Sequence, residues 1–298
     1  MRVFLTGGTG YVGSAVLDAL VRQQHHVDAL VRNSEGAARV QARGAHPIVG
    51  DLTNVTSWRD AAAASDAAVH TAAEYSARQR EFDALVIDTL AALPPRPGRA
   101  IVYTSGIWVL GAAPEPIDET APLNPAEIVA WRPAHELRVL GAAAGGVRAV
   151  VVRPGIVYGG SRGIVGDLLK DAANSLVRVV GSGENHWPLV YDRDLGELYA
   201  RLVGTPEASG VYHATDGGGE TVNEIVAALV EHAPTQPSIR HVPLAEARKK
   251  MGPYADALAL DQIVRSPRAR ALGWAPTLHS VAGNAARLFE EWRRGKAA

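Results

Sequence analysis

The first residues whose types and spacing suit chemistry lie around position 10. Thr6-Gly7-Gly8-Thr9-Gly10-Tyr11-Val12-Gly13 follows the apolar run Val3-Phe4-Leu5 and leads into an amphipathic stretch that begins at Tyr11. Gly7 allows a tight turn, Gly10 lets the backbone approach a pyrophosphate, and Gly13 lets a helix pack closely on a strand. The N–H groups at the start of that helix, from Tyr11 through Val12, then face the phosphates. A spaced glycine triplet by itself is an ordinary turn. Here the strand, the turn and the helix arrive in the order that a dinucleotide site requires.

The choice of dinucleotide rests on the end of the second apolar run, Leu30-Val31-Arg32-Asn33-Ser34. A carboxylate there would take the ribose hydroxyls of NAD and repel the extra phosphate of NADP. No carboxylate is present. Arg32 offers a planar donor fork suited to a phosphate, and Ser34 adds a hydroxyl. Asp28 lies several residues too early. NADP(H) is expected over NAD(H).

These residues need a frame to hold them. Candidate strands recur at 3–5, 27–31, 47–49, 67–69, 101–103 and 150–152, with helical periodicity between them at 11–23 and 82–92. Continuous apolar strands alternating with amphipathic helices imply a parallel sheet covered on both faces, a doubly wound α/β plan of the Rossmann type. After Arg153 the regularity decays, with helices expected at 164–173, 194–203 and 221–232 and a strand at 211–213. The expected division is a dinucleotide-binding domain over 1–155 and, over 156–298, a smaller substrate lobe interleaved with elements that return to the main sheet. Asn124-Pro125-Ala126-Glu127 has the form of a capped helix start, and Gly145-Gly146 of a helix stop.

Composition narrows the function classes. The 298 residues carry 30 Lys+Arg against 31 Asp+Glu, a formal charge of -1, so no global field attracts nucleic acid or an anionic membrane. No cysteine is present, which excludes disulfides, thiolate zinc sites and cysteine nucleophiles. No apolar run approaches the length of a membrane-spanning helix. No compact ligand cluster suggests a metal, and no Gly-x-Ser-x-Gly suggests a hydrolase. A soluble cytoplasmic protein acting on a small molecule is expected, with a homodimer as its assembly.

The form Thr-Gly-x-x-Gly-x-x-Gly resembles the extended branch of the short-chain dehydrogenase/reductase superfamily, the NAD-dependent epimerase/dehydratase-like family. Gly50-Asp51-Leu52 looks like that family's adenine-contacting site, and His70-Thr71-Ala72-Ala73 like its fourth-strand stretch beside the cofactor. Tyr103-Thr104-Ser105 resembles the region of the catalytic serine. Arg153-Pro154-Gly155-Ile156-Val157-Tyr158-Gly159 matches the segment passing the nicotinamide, and Leu272-Gly273-Trp274-Ala275-Pro276 the closing signature. The resemblance thus implies cofactor contacts from Asp51, Leu52, Thr71, Ala72, Ala73, Thr104, Pro154, Gly155, Ile156 and Val157.

The family's catalytic Tyr-x-x-x-Lys occurs nowhere in this chain. By resemblance, Trp131 stands at the tyrosine position and His135 at the lysine position. Indole has only a donor N–H and cannot exchange a proton near neutral pH, whereas histidine binds a ribose hydroxyl or acts as an acid. Pro133 disfavours a continuous helix through Arg132, so the pair is not expected to share a face. His135, Ser105 and Tyr158 are the catalytic candidates.

Tyr75, Trp108, Trp131, His186 and Trp187 fall on loops or element ends and suggest an apolar substrate pocket. The leading reading is an NADP(H)-dependent oxidoreductase acting on a small carbonyl or related unsaturated compound with a non-standard catalytic set. A dinucleotide-binding redox sensor without turnover, and an epimerase/dehydratase-like enzyme with retained cofactor, are the alternatives.

Overall fold

A strand buried along nearly its whole length belongs in the interior of a sheet covered on both sides. The first strand has this character: Val3 through Thr6 are all buried. In the computed structural model, which describes residues 1–74, 76, 78–94 and 96–297, the elements of the first half follow in alternation. They are β1 (Arg2–Thr6), α1 (Tyr11–Arg22), β2 (His26–Val31), α2 (Ser34–Gln41), β3 (His46–Val49), α3 (Arg59–Ala64), β4 (Ala67–His70), α4 (Gln79–Ala91), β5 (Ala100–Thr104) and α5 (Arg132–Gly141). Tyr75 lies outside the described residues.

The strands form one seven-stranded sheet in the order Gly210–Ala214, Arg148–Pro154, β5, β4, β1, β2, β3. The pairs β1·β2, β1·β4, β2·β3, β4·β5 and β5 with Arg148–Pro154 are parallel. This is the doubly wound α/β plan expected from the sequence. The order reverses between β1 and β4, and in such sheets ligands bind beyond the carboxyl ends of the strands at that reversal.

The chain divides into two compact units. The first comprises Met1–Ser105, Trp131–Arg153 and Leu195–Tyr212. Its core includes Phe4, Trp58, Ile87, Leu90 and Tyr103, with the Phe4 and Trp58 rings stacked 5.6 Å apart. The second comprises Gly106–Ala130, Pro154–Asp194 and His213–Ala298. Its core gathers Tyr158, Leu168, Trp187, Leu189, Ile225 and Phe289 around short parallel strand pairs, Ile156–Tyr158 with Leu189–Tyr191 and Leu176–Val180 with Ser238–Val242. No helix among the described residues is long and apolar enough to cross a membrane.

Two local expectations fail for identifiable reasons. The helix start at Asn124 is absent, because the N–H groups of Asn124 and Ala126 donate to the carbonyls of Val109 and Trp108. Residues Glu127–Val129 make only a 3₁₀ turn. Nor does Pro133 separate Trp131 from His135. It falls in the first turn of α5, where a backbone N–H has no intrahelical acceptor and its loss costs nothing. The two rings meet edge to face with centroids 4.8 Å apart.

Candidate active site

The glycine turn leaves the carboxyl end of β1 and touches the chain leaving β4. Gly7 has φ +78°, and a β-carbon there would lie 2.6 Å from the backbone nitrogen of Ala72, so conformation and contact both demand glycine. A β-carbon on Gly13 would strike the carbonyl of Gly7 and come within 2.5 Å of Thr71 Oγ1. Thr71 Oγ1 in turn donates to the Thr6 carbonyl at 2.7 Å. Gly10 is different. Its backbone is extended, with φ −79° and ψ 177°, which any residue adopts. A β-carbon there meets only the Gly7 carbonyl, at 3.1 Å. The backbone does not demand glycine at this position, and the one tight contact needs only a shift of a few tenths of an ångström. A phosphate lying against it, by contrast, would leave no room for a side chain. α1 then begins at Tyr11 without a side-chain cap, so its first turn faces that place. The residues present therefore fit a dinucleotide pyrophosphate.

Around the turn, Arg32 is exposed beyond β2, and Asn33 Oδ1 caps α2 by accepting from the Gly36 N–H. Arg39 Nη2, on α2, donates to the Thr9 carbonyl at 3.3 Å, a cation at the turn that the sequence reading passed over. Asp51 is exposed, and hydrogen bonds from the Thr53 hydroxyl and N–H hold its carboxyl below the usual range, helped by the charge of Arg32. Leu52 is half-buried. Asp28 is fully buried between Arg2 Nε at 2.5 Å and His46 Nδ1 at 3.0 Å, committed to those partners within the sheet.

A second polar cluster lies at the carboxyl ends of β4 and β5. Asp83, on α4, is nearly buried. Its Oδ1 lies 3.2 Å from His70 Nε2, and its Oδ2 2.6 Å from His135 Nδ1. The Tyr103 hydroxyl donates to the same Oδ2 at 2.8 Å. Thr6 Oγ1 and His70 Nδ1 are 2.6 Å apart, which ties the cluster to the last residue of β1. Arg132 Nη1 donates to the Thr104 carbonyl at 3.0 Å and to the Tyr103 oxygen at 3.3 Å, and its guanidinium lies over the Trp131 ring. Burial pushes the Asp83 carboxyl up, but the hydrogen bonds from His135 and His70 and the charge of Arg132 outweigh it, leaving it well below the usual range. Burial, with Asp83 adjacent, pushes the Tyr103 phenol far up, so it stays a donor.

The cluster has one detectable trace in the sequence. Asp83 falls on the buried face of α4 with Phe82, Val86, Ile87 and Leu90, a carboxylate at a core-facing position. Nothing in the sequence pointed to Tyr103 or Arg132 as its partners.

The remaining candidates divide between the two units. In the first, Ser105 is buried, its N–H donates to the Val152 carbonyl, and its Oγ has no hydrogen-bond partner among the described residues. Thr104 Oγ1 pairs with the Tyr199 hydroxyl at 2.7 Å. Thr71 and Ala72 are half-buried and Ala73 is exposed beyond β4. In the second unit, Tyr158 is fully buried, and its hydroxyl donates to Asp216 at 3.2 Å. Burial and that carboxylate push the phenol up, while burial lifts Asp216 itself to about 6. Gly155 and Ile156 donate to the carbonyls of Ala214 and Pro188, with Pro154 before them and Val157 half-buried after them. Trp108 packs edge to face on Tyr254, Trp187 is buried with its indole N–H on the Leu258 carbonyl, and His186 pairs with Asp261 at 2.8 Å.

Comparison with known proteins joins this geometry to a family. Residues 3–216 match the NAD dependent epimerase/dehydratase family, a span that contains the glycine turn and the whole buried cluster. The chain belongs to that family. It is an NAD(P)-dependent oxidoreductase of the short-chain dehydrogenase/reductase type. Among its relatives, the uncharacterized protein C2A9.02 of Schizosaccharomyces pombe is 31% identical over 94% of this chain and 96% of its own. The 4-hydroxy-2-methyl-3-oxo-4-farnesyl-3,4-dihydroquinoline-1-oxide ketoreductase of Stigmatella aurantiaca is 31% identical over 83% of this chain and 78% of its own. Human epimerase family protein SDR39U1, solved with NADPH, superposes with a TM-score of 0.75 at 22% identity, covering 97% of this chain and 99% of its own.

Proposed function

We propose that this protein is an NADPH-dependent reductase of a small carbonyl compound, with His135 supplying the proton. The observation that carries the reading is the buried Asp83–His135 pair at 2.6 Å, four residues beyond Trp131, whose indole cannot exchange a proton. A carboxylate on Nδ1 leaves Nε2 as the nitrogen that gives and takes the proton. Bound NADPH supplies hydride from its nicotinamide. His135 in its imidazolium form then gives the Nε2 proton to the oxygen of the carbonyl being reduced and is reprotonated from solvent, so one hydride and one proton convert C=O to CH–OH. Ser105 Oγ, buried without a partner among the described residues, is a donor available to that same oxygen. The ketoreductase name of the Stigmatella relative and the NADPH of the human neighbour support the reading.

NADPH consumption with a panel of ketones, aldehydes and enones tests the activity. Loss of a proton donor depresses turnover by about 10²–10⁴-fold while cofactor affinity changes little. His135→Ala is expected to behave in this way. An unchanged rate assigns the proton to another group, and tight binding of both redox forms without turnover places the protein among dinucleotide sensors.

Arg32 beyond β2, with Arg39 on the Thr9 carbonyl of the glycine turn, supports the preference for NADP(H). One charge-assisted contact to the 2′-phosphate is worth about 1.5–3 kcal/mol, roughly ten- to a hundredfold in affinity. Titration of both cofactors should show that preference in the wild type and its collapse in Arg32→Ala. Equal wild-type affinities would contradict it.

A further inference from the structure

We propose that Asp83 is a positioning residue that fixes the Nδ1–H tautomer of His135, with His70 and Tyr103 locking the carboxylate in place. The proposal rests on the reading of His135 as proton donor, but its first test is independent of turnover.

An ionised carboxylate only accepts hydrogen bonds, and Asp83 is held ionised by its surroundings. Its three partners must therefore all donate: Tyr103 O–H and His135 Nδ1–H to Oδ2, and His70 Nε2–H to Oδ1. A neutral His70 protonated on Nε2 presents a lone pair at Nδ1, which accepts from the Thr6 hydroxyl. Thr6 Oγ1 in turn accepts from the Ala72 N–H at 3.4 Å. Tyr103 completes its own set by accepting from Arg132 Nη1. Every proton has one place, and the chain closes without conflict.

The groups facing the imidazole come from several elements. Asp83 reaches it from α4, while Tyr103 from β5 and His70 from β4 act through that carboxylate. Trp131 and Arg132 belong to the end of its own helix. Glu136, the next residue along α5, is occupied by Arg153, with Oε1 at 3.0 Å from Nε and Oε2 at 2.6 Å from Nη2. Asp83 is thus the only carboxylate hydrogen-bonded to His135 among the described residues, and its negative charge is balanced nearby by Arg132.

Such a cluster is not explained by stability alone, since buried ionic groups are on average no better than apolar ones of similar shape. Its organisation has a consequence for Asp83→Asn. The amide keeps the shape but offers one acceptor and one donor group, so it cannot accept from both histidines. One of them must rotate or change tautomer. If His70 does, its bond to Thr6 breaks; if His135 does, Nε2 carries the hydrogen and the lone pair turns away from the ligand.

The experiment begins with the unmodified full-length protein. Nitrogen-15 NMR of the imidazoles should show neutral His135 protonated on Nδ1 and His70 on Nε2. A neutral His135 protonated on Nε2 overturns the proposal without any variant. In Asp83→Asn the signals of one imidazole, His135 or His70, should shift to the other tautomer or to a mixture, and in Asp83→Leu, which offers no acceptor, those of His135 should. NADPH affinity should stay within about threefold while turnover falls roughly 10²–10⁴-fold, as loss of an orienting carboxylate does elsewhere. An unchanged His135 tautomer in Asp83→Leu, with only lowered thermal stability, makes the carboxylate structural and sinks the idea. Failure of His135→Ala to slow turnover instead sinks the reading of His135 as donor, while the NMR result still decides who sets its tautomer.

Discussion

Gly10→Val is expected to lose dinucleotide binding by at least about a hundredfold, more than 2.7 kcal/mol, while the protein stays folded. The two halves of that outcome have separate causes. Folding survives because the Gly10 backbone is extended and a β-carbon there meets one carbonyl oxygen at 3.1 Å, which a shift of a few tenths of an ångström relieves. Binding fails because the added methyl groups fill the place where a pyrophosphate would lie against the turn. Gly13 supplies the contrast within the same motif. Its β-carbon would collide with the Gly7 carbonyl, so Gly13→Val should damage folding as well as binding. Circular dichroism and thermal melting, read beside a fluorescence titration with NADPH, separate the two. A folded Gly10→Val protein that binds as tightly as wild type would mean that the turn carries no phosphate and that the site has been misplaced.

Glu136→Ala should be strongly destabilising. Arg153 and Glu136 are 4% and 2% exposed, and two parallel hydrogen bonds join them. Removing the carboxylate takes two charge-assisted hydrogen bonds from a buried guanidinium, a loss of roughly 3–5 kcal/mol. For a protein of this size the melting temperature should fall by about 5–15 °C. Replacing both residues, as in Glu136→Leu with Arg153→Met, should recover a large part of that loss, because an apolar pair of similar volume carries no desolvation penalty. A Glu136→Ala protein that melts within about 2 °C of wild type would show that the pair contributes little and that water reaches Arg153.

The two variants probe different ends of one construction. The glycine turn hangs from β1, the Glu136–Arg153 pair joins α5 to the strand Arg148–Pro154, and the cluster around Asp83 lies on the strands and helices between them. Thr6 belongs to the turn through its position and to the cluster through its hydroxyl. The end of the turn and the orientation of His135 are therefore set by one connected set of hydrogen bonds.

What the sequence determined by itself is the part of the protein governed by local rules. Short, largely apolar runs at 3–5, 27–31 and 101–103 read as strands of a covered sheet, and the glycines at 7, 10 and 13 marked a turn between a strand and a helix. Those features depend on residues within one turn or one strand, so the α/β plan and the phosphate-facing loop were legible at once. Tertiary structure decided the rest. Asn124 has the composition of a helix cap, yet its backbone is drawn into hydrogen bonds with the chain near Trp108, fifteen or so residues earlier. Pro133 reads as an interruption, but its harm depends on position within the helix, and the helix begins one residue before it. Most of all, Thr6, His70, Asp83, Tyr103, Arg132 and His135 come from three strands and two helices spread over 130 positions. Nothing local marks them as partners. Their assembly follows from strand order, which places β1, β4 and β5 side by side, and from the cost of leaving a buried carboxylate without donors, which draws two imidazoles and a phenol onto Asp83.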